Sequence, residues 1–488
     1  MVLDPDAAYR ALQAHDARFD GRLFVGVTST RIYCRPVCRV RLPRRENCRF
    51  YGNAASAERD GFRPCLRCRP EQAPGLALVD SPTVLAQHAA RMLSRAAHDG
   101  DDVALPAIAE RLGVTDRHLR RIFVAAHGVT PIDYLTTQRL LLAKQLLSDT
   151  GLAVASVALA AGFGSQRRFN AAFAERYRLS PTDLRRTQRS CIPAPRDALA
   201  GPTLRLAYRP PYDIDGVVGF FAARAVVGIE AVDAAQLALR RTLAFAHQGR
   251  HVSGWLAWRF LAVRHEVELM ISPSLAPALG AVAQRLRQGL DLDADPASID
   301  SALASVPGPA GTRVPNGVDG FEIAVRVILG QQVSVAAART LTRRLVDALG
   351  EPIATPFADL SRLFPSAERI AQVAPEAIGR LGIVGQRVGA LQALAREVHA
   401  GRITLHRGSP LAATLDALRA LPGIGEWTVQ LIAMRALAWP DAFPASDIGV
   451  MNALGIRDVK VVAGLSEAWR PWRSYAVMRL WQTLESGT

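Results

Sequence analysis

Four of the six cysteines in this 488-residue chain stand as two close pairs, Cys34 with Cys38 and Cys65 with Cys68, and 26 residues separate the pairs. C-x3-C followed by C-x2-C across a loop of that size is ligand spacing for a tetrahedral zinc ion. A thioredoxin-like redox pair requires C-x-x-C after a strand of a βαβ unit, and "GFRPCLRCRP" does not offer that context. Four thiolates on Zn²⁺ leave a formal charge of about −2, so the sulfurs stay deprotonated and electron-rich at neutral pH. A ligand facing solvent can then attack a soft electrophile such as a methyl group, but the spacing fits a purely structural zinc site as well. Cys48, in "ENCRFYGN", and Cys191 stand outside the pattern, and Cys48 is expected to be a small, partly buried residue.

A second stretch with functional spacing is "LRALPGIGEWTVQLIAMRAL". Helix, Leu-Pro-Gly-Ile-Gly, helix makes a hairpin in which Gly423 and Gly425 let backbone N–H groups approach an anion, where the second helix's dipole favours a phosphate. Taken alone, such a hairpin indicates DNA binding without sequence preference. Asp447 follows 22 residues after Gly425, in "AFPASDIGVMNALG", behind a Pro-containing loop and at the expected start of another helix.

The elements that must hold these residues exceed one core, and the length predicts roughly three or four domains. No apolar run reaches the ~18–20 residues needed to span a bilayer. The first twenty residues, "MVLDPDAAYRALQAHDARFD", lack the apolar core and cleavage site of a signal peptide, so a cytoplasmic, nucleoid-associated protein is expected. The formal charge is +15. It concentrates near the first cysteine cluster, where residues 31–69 carry eleven arginines against Glu46, Glu58 and Asp60. A preference for Arg over Lys, of which there are only Lys144 and Lys460, explains the choice of residue but not that local excess. The field is one that seeks phosphate.

Residues 80–188 show helical periodicity and two repeats of one pattern. "LPAIAERLGVTDRHLRRIFVAAHGVTP" has a turn at Gly113, a cap at Thr115 or Asp116, and Arg117, His118, Arg120 and Arg121 exposed on the following helix. "VASVALAAGFGSQRRFNAAFAERYRLSPTDLRR" repeats it, with turn glycines at 162 and 164, a cap at Ser165, and Gln166, Arg167, Arg168 and Asn170 on the next helix. Both fit helix-turn-helix geometry, and Arg117, Arg120, Arg167 and Arg168 are the candidates for groove or phosphate contacts. "RSCIPAPRDALAGPT", residues 189–203, reads as a linker. A small α+β subdomain is expected over 204–285 and an all-helical domain over 286–488.

Three resemblances follow from these stretches. "VTSTRIYCRPVCRVRLPRRENCRFYGNAASAERDGFRPCLRCRP" resembles the zinc module of the Ada-type adaptive-response methyl-accepting activators, over about residues 5–75. That likeness implies one zinc ion, held by the four thiolates of Cys34, Cys38, Cys65 and Cys68, and an irreversible transfer of methyl from a DNA methylphosphotriester to Cys34. The tandem helix-turn-helix units resemble the AraC-type DNA-binding domain. "RPPYDIDGVVGFFAARAV", "FEIAVRVILGQQVSVAAA", "LPGIGEWTVQLIAMRALAWPDAFPASD" and "WRPWRSYAVMRLW" resemble 3-methyladenine-DNA glycosylase II of the helix-hairpin-helix superfamily.

The last likeness implies that Asp447 stabilises an oxocarbenium-like sugar and orients water. It also places Phe220, Trp427 and Trp481 around a flipped base, where stacking suits cationic methylpurines. Trp472 is expected in the core. Trp427 occupies the position of the nucleophilic lysine found in strand-cutting relatives, and no cysteine after Cys191 is available for an iron–sulfur cluster. Gln332 stands where the family carries an apolar wedge, and Leu431 where it carries a further aromatic residue.

The expected whole is a multidomain, mainly α chain. It comprises a small α+β zinc module (1–79), a double helix-turn-helix domain (80–188), the linker, a small α+β subdomain and an all-α glycosylase domain. The implied partners are double-stranded DNA, at damaged sites and a promoter operator, and RNA polymerase, for a monomer with no membrane role. No Pro-Cys-His-Arg motif for repair of O6-methylguanine occurs. The competing reading is a transcription regulator with structural zinc and a catalytically inactive DNA-binding C-terminal half.

Overall fold

The computed structural model describes residues 4–15, 23–38, 40–51, 54–65, 68, 70, 82–100, 104–188 and 201–485. Cys191 and residues 189–200 of the expected linker lie outside them.

The N-terminal part is a helix, Pro5–Gln13, and a four-stranded sheet. Asp4 starts the helix by accepting from Ala7 N at 3.0 Å, which satisfies one of its orphan donors. The strands are β1 (Phe24–Val27), β2 (Ile32–Cys34), β3 (Cys48–Tyr51) and β4 (Arg63–Pro64), in the order β3-β1-β2-β4. Alternation along β1 divides the interior in two: Leu23 and Val25 pack with Ala8, Leu12 and Cys48, while Phe24 packs with Tyr33, Ala57 and Phe62. At Gly26 a side chain would meet the Phe62 and Tyr51 rings at 2.9 Å, so only glycine lets those rings cross the strand.

The described residues between 82 and 188 form seven helices: Pro82–Asp99, Leu105–Arg111, Asp116–His127, Pro131–Asp149, Val154–Ala160, Gln166–Tyr177 and Pro181–Gln188. The two turns need left-handed backbone and have glycine there, Gly113 at φ +66° and Gly162 at φ +77°. Thr115 and Ser165 cap the helices that follow, each accepting a backbone N–H at 3.2 Å. Leu119, Ile122 and Phe123 bury one face of the first of these helices, and Phe169 and Phe173 that of the second.

From residue 201 a five-stranded antiparallel sheet precedes a helical body. Its strands are β5 (Thr203–Ala207), β6 (Glu230–Asp233), β7 (Ala238–His247), β8 (Arg250–Leu261) and β9 (Glu266–Ile271), in the order β5-β9-β8-β7-β6. Helix Ile214–Arg224 lies in the chain between β5 and β6, after a cis Pro210–Pro211 bond. The boundary expected between residues 285 and 286 falls inside helix Leu279–Gly289, whose buried Leu279, Val282 and Leu286 run straight through it. The helical core is built around Ile328, Leu391, Leu394, Val429 and Ile432, and Trp472 packs, partly buried, against it.

Four charges, Arg241 and Glu322 buried and Glu230 and Arg326 half-buried, join the sheet to that body. Arg241 on β7 pairs with Glu230 on β6 at 2.8 Å and with Glu322 on helix Gly320–Leu329, while Arg326 of the same helix reaches Glu230 and Glu322 at 2.7 Å each. Removing one carboxylate leaves guanidinium charge buried without its partner. Glu322→Ala is therefore expected to cost about 3–5 kcal/mol, read as a loss of unfolding free energy in urea.

Candidate functional site

The cysteine cluster is assembled by strand ends. Cys34 closes β2, in register with Val25 of β1. Cys38 follows a tight turn in which its N–H reaches Arg35 O at 3.1 Å. Cys65 comes directly after β4 and donates its N–H to Tyr33 O at 3.0 Å, so the parallel β2–β4 pairing sets the second pair against the first. Cys68 Sγ accepts from Arg35 N at 3.4 Å, and the buried Arg35 guanidinium donates to Cys68 O at 3.3 Å. All four cysteines are buried, and their sulfurs lie within 4.8 Å of one another. Tetrahedral Zn–S bonds of about 2.3 Å place sulfurs about 3.8 Å apart, so the four residues fit that ion. Hydrogen bonds among the sulfurs hold Cys38 down to about 3, and the bond to Cys38, with burial, pushes the Cys34 thiol up.

Cys48 corrects the expectation of partial exposure: it is buried in the other half of the module, 6% exposed, with Sγ directed at Arg44 O at 3.3 Å. Burial raises its thiol. Its place on β3 opposite Val27 put it into the core, a register that spacing does not reveal.

In the helical part, Arg117, Arg167 and Arg168 are exposed, with no ion pair to them among the described residues. Arg120 is also exposed but is tied to Asp116 on its own helix at 2.8 Å. His118 is half-buried rather than exposed, with Nδ1 3.0 Å from the Arg121 guanidinium.

The C-terminal part contains a cleft of about 1030 Å³ that gathers Phe220, Gln332, Gly423, Gly425, Leu431 and Asp447, with Trp427 and Trp481 beside them. Asp447 is 7% exposed and its carboxylate is fully engaged. Oδ1 caps helix Ile448–Leu454 by accepting from Val450 N at 3.0 Å and also accepts from Trp481 Nε1 at 2.9 Å, while Oδ2 accepts from Trp427 Nε1 at 2.9 Å. The two tryptophans thus grip the aspartate by their indole N–H groups, which composition and spacing do not disclose. Gly449 is a further residue the sequence reading missed. A side chain there would stand 3.1 Å from both Asp447 Oδ1 and the Trp481 indole, so the close approach depends on glycine.

Gly423 takes φ +75°, and Gly425 begins helix Glu426–Arg435. Gln331, also missed, binds the hairpin to the loop before helix Val335–Leu349: its Nε2 donates to Gly423 O and Thr428 Oγ1, each at 2.9 Å. Next to it Gln332 is exposed at φ +54°. Phe220 lines the cleft but is only 4% exposed, and two of the protein's own guanidiniums lie over its ring, Arg224 at 3.7 Å and Arg435 at 4.8 Å. The chain's own arginines therefore supply cation–π partners to this ring. Leu431 is buried in the wall.

A buried quartet of cysteines that fits a zinc ion, a tandem helix-turn-helix and a cleft with a clamped aspartate beside a glycine hairpin define a multidomain nucleic-acid-directed protein. Comparison with known families agrees segment by segment. "Metal binding domain of Ada" matches residues 7–71, "Helix-turn-helix domain" 108–187, "AlkA N-terminal domain" 203–319, and "HhH-GPD superfamily base excision DNA repair protein" 325–460. The chain is 39% identical to a Mycobacterium tuberculosis protein named "Probable bifunctional transcriptional activator/DNA repair enzyme AlkA", across 99% of this chain and 97% of that one. It is 33% identical to "DNA-3-methyladenine glycosylase 2" of Escherichia coli, over 57% of this chain and 96% of that protein. To the Escherichia coli "Bifunctional transcriptional activator/DNA repair enzyme Ada" it is 36% identical, over 33% of this chain and 43% of the other. The chain belongs to the family of bifunctional transcriptional activator/DNA repair enzymes that join an Ada metal-binding domain to an AlkA-type glycosylase.

Metal retention separates the two classes of cysteine. Cys65→Ala is expected to abolish stoichiometric zinc measured by elemental analysis, whereas Cys48→Ala should keep it, because Cys48 lies in a different cluster from the four ligands.

Proposed function

We propose that this chain repairs alkylated DNA and regulates transcription in response to it. Its C-terminal half, residues 204–488, hydrolyses the N-glycosidic bond of alkylated bases such as 3-methyladenine without cutting the strand. Residues 1–79 take a methyl group irreversibly from a DNA methylphosphotriester onto Cys34, and residues 80–188 carry the module to an operator and to RNA polymerase. One zinc ion per chain, no iron–sulfur cluster and a monomeric state complete the reading.

The observation that carries the glycosylase assignment is the Asp447 carboxylate, held by three N–H donors within a cleft large enough for a nucleotide. An aspartate fixed this way faces the developing sugar cation without reorganising, which is where electrostatic stabilisation is largest. The electron pair of the breaking bond leaves with the base, and water adds to C1′ as its proton passes to the carboxylate or to solvent. Trp427 holds the position at which a strand-cutting relative needs lysine, which supports hydrolysis alone. The hairpin around Gly423 grips the backbone while Phe220, Trp427 and Trp481 shape the recess.

In the N-terminal module, zinc held by Cys34, Cys38, Cys65 and Cys68 would keep their sulfurs as nucleophilic thiolates. Cys34 Sγ attacks the methyl carbon, the carbon–oxygen bond of the ester breaks, and the phosphodiester anion leaves. Turning the Cys34 thiolate into a neutral thioether removes one negative charge from the module, which lessens repulsion from the DNA backbone. Arg117, Arg167 and Arg168, exposed and unpaired among the described residues, are suited to phosphate or base contacts.

Asp447→Asn should slow release of 3-methyladenine from alkylated DNA by at least about 100-fold, and an unchanged rate would reject the glycosylase. Trp481→Phe keeps the ring but removes one donor to the carboxylate, for an expected loss of about 10- to 100-fold in single-turnover rate. Cys34→Ser should take up no label from DNA bearing radiolabelled methylphosphotriesters. Operator affinity that is equal before and after methylation would reject the switch.

A further inference from the structure

The outer edge of the C-terminal sheet is occupied. β5 stands at one end of the strand order and pairs antiparallel with β9, with Leu204 opposite Leu269, Arg205 opposite Glu268 and Leu206 opposite Val267. On such an edge every second residue turns both its N–H and its C=O away from the ladder, and those groups need another partner. Arg205 finds it on helix Pro131–Asp149. Gln145 Nε2 donates to Arg205 O at 2.8 Å, and the Asp149 carboxylate accepts the Arg205 backbone N–H. Gln145 and Asp149 are an i, i+4 pair, so a single turn of helix meets both outward groups of a single strand residue. Burial pushes the Asp149 carboxyl above its usual range, while the Arg205 backbone and guanidinium and the Gln145 amide pull against that shift. Further along the chain, helix Val154–Ala160 packs against the 3₁₀ helix Pro273–Ala278, which follows β9. Residues 143–160 accordingly form one compact unit with residues 164–488.

An edge residue presents one acceptor and one donor, and a carboxamide beside a carboxylate answers both. Neither Gln145 nor Asp149 belongs to the turns, the caps or the basic faces of the helix-turn-helix pattern. An uncovered edge is also a template for pairing with another chain, and a helix laid over it removes that hazard. We propose that the β5 edge is the docking surface for the second helix-turn-helix unit, held by Gln145 and Asp149, so that this DNA reader and the glycosylase half turn as one body. A cleft mounted this way keeps a set distance from DNA held by helix Gln166–Tyr177, whereas a flexible tether samples many distances. The joint does not depend on which reaction the cleft performs.

The test is hydrogen–deuterium exchange of the full chain, read segment by segment by mass spectrometry. Gln145→Ala combined with Asp149→Ala should speed exchange at least about 10-fold in residues 203–207 and in residues 154–160 together, and change it less than about 3-fold in β8 and in helix Glu426–Arg435. Asp149→Asn with Gln145 intact keeps an acceptor oxygen for the Arg205 N–H, and should stay within about 3-fold of wild type in all four segments. An unchanged rate in residues 203–207, a rise confined to residues 154–160, or an equal rise in all four segments would overturn the inference. Base release is read separately. A wild-type chain that frees no 3-methyladenine from alkylated DNA would remove the glycosylase reading and leave the exchange result to decide the docking.

Discussion

A carboxylate taken out of water must have its oxygens satisfied, and the C-terminal half is arranged around meeting that demand at Asp447. Its three donors come from three places: the backbone of its own helix, Trp427 on the hairpin's second helix, and Trp481 on the helix Arg473–Glu485. All three elements must therefore converge on one point. The loop that delivers Asp447 is secured on either side, by Phe443 N donating to Gln430 Oε1 at 3.0 Å and by Asp447 N donating to Pro444 O at 2.8 Å. Behind it, Arg473 holds Asp441 at 2.7 Å, which fixes the start of the Trp481 helix against the same loop. Gly449 then gives the indole room to close. An aspartate held on all sides has little left to reorganise, and that is the property a charge-stabilising group requires.

The same half solves a second electrostatic problem with a different outcome. Arg241, Arg326, Glu230 and Glu322 desolvate together and bind the sheet to the helical body, so the recess stands on a rigid junction rather than on a loop. Arg435 adds positive charge beyond what the glutamates neutralise, and it lies with Arg224 over Phe220. The Phe220 wall of the cleft is consequently cationic as well as aromatic.

In the N-terminal module the equivalent constraint is four sulfurs in one small volume. Two short strands and one turn bring them there, and the Arg35 backbone and side chain both attend Cys68. Such a site is folding energy once a metal binds, which is how a sheet of two- to four-residue strands can hold its shape.

Much of this was legible in the sequence because it is local. Ligand spacing, turn glycines such as Gly113, Gly162 and Gly423, the caps Thr115 and Ser165, and the hairpin-to-aspartate interval are properties of neighbouring residues, and they specified the zinc quartet, the tandem helix-turn-helix and the position of Asp447. What only the tertiary structure decided is which distant groups meet. Trp427 and Trp481 read as stacking surfaces until their N–H groups were found on one carboxylate, because a side chain's dipole has no direction until the backbone is folded. Cys48 read as partly exposed until register placed it in a core. Phe220 read as part of the lining of a recess, and only the fold set arginines 4 and 215 residues further along the chain over its ring. Burial, dipole direction and charge balance depend on contacts between elements far apart in the chain, so they come into being only with the fold.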